Sequence, residues 1–155
     1  MKSPILSKSG LVGLSLASVA LMLAACGNSQ EAAQAPAEET AEQVVARIAA
    51  TQSPQDFKRR EIECLETLAS AKRAGENRLT PELAALVMVE PRMDFLGLVR
   101  EARELGLEAS DINAAQRSNL RGPDKPEDVT AEYTAHIKEC LAISKVANAR
   151  HGVTQ

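Results

Sequence analysis

Two dipeptides, Ser53-Pro54 and Thr80-Pro81, constrain this chain more than any other feature. Each sets a capping hydroxyl before a proline at the first helical position, where the missing N–H costs nothing and the fixed φ suits the helix. Behind Ser53-Pro54, apolar residues recur at helical spacing through Phe57, Ile62, Cys64, Leu65, Leu68, Ala69 and Ala71, up to Gly75. Behind Thr80-Pro81 come Leu83, Leu86, Val87 and Val89. Pro91 then disfavours helical geometry at Glu90, so the chain should bend or restart before the next stripe. That stripe is Phe95, Leu98, Val99, Ala102 and Leu105, ended by Gly106.

The remaining segments follow the same logic. Thr40 with Gln43 makes a capping-box pattern, and Val44, Val45, Ile48 and Ala49 predict a short helix ending near Thr51. Ser110 reads as the N-cap of a short helix through Ile112, Ala115 and Leu120. Residues 121–126, with Gly122, Pro123 and Pro126, read as a loop. A long last helix is expected from Glu127 to Ala149, with Val129, Tyr133, Ile137, Cys140, Leu141 and Ser144 along one face. No stretch alternates as a strand would. Aromatics are only 2% of the chain (Phe57, Phe95 and Tyr133), so the core must come from Leu, Val, Ile and Ala, a set that favours helices. The expected fold is all-α, a small bundle of about five helices over residues 40–152, with a tail at 153–155.

Residues 1–25 have a different physical character. Lys2 and Lys8 precede an apolar run over residues 11–23, which at about 13 residues is shorter than the roughly 20 a spanning helix requires. This is the pattern of a cleaved signal peptide. Its exit, Leu23-Ala24-Ala25-Cys26-Gly27, resembles the lipobox of bacterial lipoproteins. The resemblance covers residues 1–27 only. It implies that Cys26 receives a thioether-linked diacylglycerol, that the chain is cut before Cys26, and that the new amino group is acylated. A thiolate is the side chain most readily alkylated near neutral pH, and two or three acyl chains hold a protein on a bilayer durably. The implied partner is therefore a membrane, reached through the lipid on Cys26. By the same resemblance, Gly27 in place of an aspartate points to the periplasmic face of the outer membrane rather than the inner membrane, in a Gram-negative source.

Residues 26–39 start with that cysteine and continue without a large apolar side chain, a composition that cannot offset its own ordering entropy. Such a tether has an r.m.s. reach of roughly 20 Å. With Cys26 consumed by lipid, Cys64 and Cys140 remain as an even pair in an exported protein. Both lie on apolar faces of the two longest expected helices, so a disulfide would join the start of the domain to its end. For a closed loop of about 77 residues the chain-entropy estimate is between 4 and 5 kcal/mol.

Catalytic signals are absent from the sequence. No G-x-S-x-G, H-E-x-x-H or Gly-rich phosphate loop occurs. His136 and His151 are the only histidines, too few for most metal sites, and neither a metal nor a cofactor is expected. Met88 and Met93 could be pictured opposite His136 as haem ligands, but the C-x-x-C-H attachment motif is missing. Asp94, Glu101 and Glu104, accompanied by Arg100 and Arg103, read as a solvated helix face. Arg59 is expected to pair with Glu63 at i,i+4. Lysine and arginine number 18 against 21 acids, and loss of Lys2 and Lys8 with the signal makes the mature chain more acidic still. That balance and the scarcity of aromatics argue against nucleic acid as a partner. The expected function is a lipid-anchored, non-catalytic helical protein that docks to an envelope protein. The alternatives are a binder of a small or lipidic ligand between helices, and an enzyme whose site leaves no motif.

Overall fold

The computed structural model describes residues 38–118 and 122–153. The expected signal peptide, Cys26 and residues 27–37 of the tether lie outside the described residues. Six α-helices and no strand are found among them: α1 (Ala41–Ala49), α2 (Pro54–Ala74), α3 (Pro81–Val89), α4 (Phe95–Glu104), α5 (Ala109–Arg117) and α6 (Ala131–Arg150). None is long and apolar enough to cross a membrane.

The helix starts follow their caps. The Thr40 hydroxyl accepts from Gln43 N while the Gln43 side chain accepts from Thr40 N, closing the capping box. Ser53, Thr80 and Thr130 each accept from the backbone N–H three residues on. Each cap of this kind contributes about 1 kcal/mol. Pro91 separates α3 from α4 completely, and the restart accounts for a sixth helix where about five were expected. Gly106, at φ 82°, ends α4 in a left-handed turn that lets Leu107 N donate to Ala102 O.

Two boundaries differ from the sequence reading. Helix α5 begins at Ala109 with Glu108 as its cap, the Glu108 N–H donating to the Asp111 carboxylate, so Ser110 lies inside the first turn. Helix α6 begins at Ala131, because Pro126–Asp128 forms a separate 3-10 turn and Thr130 supplies the cap. Both corrections have one cause: a nearer capping group outcompeted the residue that composition favoured.

Helix α2 is the hub. It packs against α3, α4, α5 and α6, while α1 lies mainly on α6. Ile62 and Leu68 of α2 meet a core that includes Leu83, Val87, Leu98 and Ile137. Helix α6 is buried continuously from Cys140 to Ser144, more than the single face expected, because α1 covers one side of it and α2 the other.

Candidate functional site

Three constellations place polar chemistry on this scaffold. The first joins α2, α4 and the end of α6. Lys58 and Glu61, one turn apart on α2, are buried and ion-paired to each other. Lys58 also reaches Glu101 on α4. Arg150 bridges Glu61 at 2.8 Å and Glu101 at 3.0 Å, and His151 Nε2 lies 2.8 Å from Glu101 Oε1. Burial alone would raise the Glu101 carboxyl, but hydrogen bonds from Lys58, His151 and Arg150 outweigh it and hold its pKa at about 2. Glu101 was expected on a solvated face and is instead the centre of this lattice. Gly97 makes room for it, since a Cβ there would fall 2.8 Å from His151 Cε1. Lys58, Glu61, Glu101 and Arg150 each have an opposite partner within the protein, so the arrangement latches three helices; His151 Nδ1 is buried beside them without a hydrogen-bond partner.

The second constellation surrounds the cysteines. Cys64 and Cys140 are fully buried, with Cα atoms 5.0 Å apart and their sulfurs in bonding position. His136, one turn before Cys140, accepts at Nδ1 from Arg60 Nη2 at 3.0 Å. Burial lowers the His136 pKa and the Arg60 guanidinium lowers it further, so the ring is held neutral, with Nδ1 as the acceptor. Arg60 also pairs with Glu63 at 3.1 Å and Glu139 at 3.0 Å. The polar cleft over them, about 360 Å³, therefore has its one guanidinium already saturated. The expected Arg59–Glu63 pair does not form: Arg59 turns to Asp56 at 2.6 Å and Asp111 at 3.5 Å, leaving Glu63 to Arg60.

The third is a groove of about 700 Å³ beside α2, between the α3–α4 connection and α5. Leu65, Leu68 and Ala69 of α2 form one wall, and Met88, Met93 and Phe95 the other. Lys72, Arg73 and Arg92 stand on its rim. Beneath it Ser144 and Asn148 of α6 are buried, and Asn148 Nδ2 donates to Ser144 Oγ at 3.3 Å and to Pro91 O at 3.4 Å. Asn148 Oδ1 has no donor. Met88 and Met93 line this groove while His136 lines the other cleft, so the three are not brought together.

Continuing from the groove, α3 and the start of α4 expose large apolar side chains: Leu86, Met88 at 61%, Val89 at 79% and Leu96 at 77%. Leu86 and Val89 were read as part of a helical stripe, and Met88 and Leu96 were not. The sequence carried one usable signal that they face outward: α3 is apolar on every side, and a helix of nine residues cannot bury all of them. Among the described residues no group of three His, Cys, Asp or Glu side chains is placed to hold a metal ion. Searches of family models, curated proteins and solved structures found no match to this chain.

Proposed function

We propose that this protein is a lipid-anchored, non-catalytic helical protein of the bacterial envelope that docks to an envelope protein through the apolar surface of α3 and the start of α4. The observation that carries the docking is the exposure of Leu86, Met88, Val89 and Leu96 within an eleven-residue stretch of a domain whose other large side chains are mostly covered. Clustered apolar exposure of this kind marks contact surfaces. The anchoring reading rests on Leu23-Ala24-Ala25-Cys26, and paired cysteines fit an oxidising compartment outside the cytoplasm. By the Gly27 argument the address is the outer membrane, facing the periplasm.

Crosslinking in intact envelopes followed by affinity purification of the full chain tests the docking. A defined partner should be recovered with the wild type and lost with Val89→Glu and Leu96→Glu together. Recovery that is indifferent to both substitutions overturns the assigned surface. Metabolic labelling with palmitate, lost in Cys26→Ala, tests the anchor separately. A second reading, a binder of a lipidic ligand, is favoured by the groove with its Leu and Met walls and cationic rim.

A further inference from the structure

The groove is polarised along its length. Leu65, Leu68, Ala69 and Lys72 recur at spacings of three and four on α2, so one wall passes from leucine to an ammonium over two turns, roughly 10 Å. Lys72 Nζ donates to the main-chain carbonyl of Glu90, which draws it toward the connection that carries Arg92. Arg73 follows Lys72 directly. All three cations line the groove. None of them forms an ion pair among the described residues, in contrast to Lys58, Arg60 and Arg150. The single carboxylate on the lining, Glu66, accepts from the Gln116 amide at 3.4 Å and forms no ion pair with the three cations.

We propose that this groove binds a single-chain anionic amphiphile of the fatty-acid type. Its acyl chain would lie along Leu65, Leu68, Met88 and Met93, and its carboxylate would meet Lys72, Arg73 and Arg92. This inference rests on the ligand-binding reading above and names the ligand class. Apolar burial supplies affinity for the chain irrespective of its head. Charge-assisted hydrogen bonds from the rim then select the carboxylate and reject an alkylammonium of equal length.

Photolysis of membranes carrying the full chain tests it, with diazirine-bearing myristate and the amine and alcohol of the same length as probes. Adducts are mapped by peptide mass spectrometry. The carboxylate should label the peptides spanning residues 65–72 and 88–95 roughly tenfold more than the amine, the size expected for lost charge-assisted contacts, and excess laurate should remove that label. Ala69→Phe, which fills the wall, should abolish labelling by all three probes. Lys72→Gln with Arg92→Gln should remove the preference for the carboxylate and leave alcohol labelling unchanged. Equal labelling by the three probes, still lost in Ala69→Phe, keeps a ligand groove and overturns the anionic class. Labelling indifferent to Ala69→Phe overturns the groove itself. If Ala69→Phe fails to fold, laurate competition on the wild type decides, and a carboxylate label that laurate does not displace overturns the proposal.

Discussion

Around α2 and α6, buried Lys58 and Glu61 are neutralised together with the partly exposed Glu101 and Arg150, and two cysteines meet nearby. Along α3 and α4 the arrangement is reversed: Val89 and Leu96 face solvent, and Arg92 stands beside an apolar groove without a carboxylate. The same chain thus satisfies its ions internally on one side and leaves both apolar surface and charge unsatisfied on the other. Buried paired ions hold elements in register. Unpaired cations beside exposed apolar side chains have the composition of a contact surface, the role proposed for this side. The difference separates the part of the molecule that keeps its shape from the part for which contact is proposed.

The comparison breaks most visibly at the cysteines. Replacing Cys64 and Cys140 by alanine together should cost about 4 kcal/mol, since a closed loop of this length removes that much chain entropy from the unfolded state. The measurement is the urea midpoint of the oxidised protein against the double variant. Equal midpoints, with both thiols of the wild type open to labelling, would show that no bridge forms. Next in size is Glu61→Ala, which takes from buried Lys58 one of its two carboxylate partners and from Arg150 one of its own, and should cost about 3 kcal/mol. Glu61→Gln, which keeps the shape and loses the charge, should recover part of that loss in the same assay.

Acid separates the halves in another way. Glu101 has a folded pKa of about 2 against an ordinary value of 4.5. A carboxyl depressed on folding stabilises fully above its unfolded pKa and loses that contribution as pH falls through the folded value. Stability of the wild type should therefore decline as pH falls from about 4.5 to about 2, and Glu101→Gln should show a shallower decline over the same window. Parallel curves would mean that the lattice does not hold Glu101 in solution. The smallest effect belongs to the contact side. Val89→Ser and Leu96→Ser should change stability by less than about 0.5 kcal/mol each, because neither side chain leaves the core. A loss well above that would place these residues in packing rather than docking.

Much of the fold could be read from residues whose partners are close in sequence. Thr40 and Gln43, Ser53-Pro54 and Thr80-Pro81 start helices where expected because a cap is satisfied within three residues. The pairing of Cys64 with Cys140 was legible because few cysteines remained and both lay on apolar stripes. The ion lattice was not, since Lys58 meets Glu101 and Glu61 meets Arg150 across 43 and 89 positions, and nothing local distinguishes these residues from a solvated face. The groove escaped for a similar reason. Leu65 looks like an ordinary core residue until the Pro91 connection stops short of covering it.

One consequence of the cysteine pair concerns damage. A bond between Cys64 and Cys140 encloses α3, α4, α5 and the connection through residues 122–126 in a covalent ring, with the ion lattice at its neck. A protease that cuts the ring once opens it without releasing a fragment, and the cut ends stay pinned to the two longest helices. The segment proposed to make contact is in this sense a cassette held at its base, open to wear and to exchange while the frame that carries it stays shut.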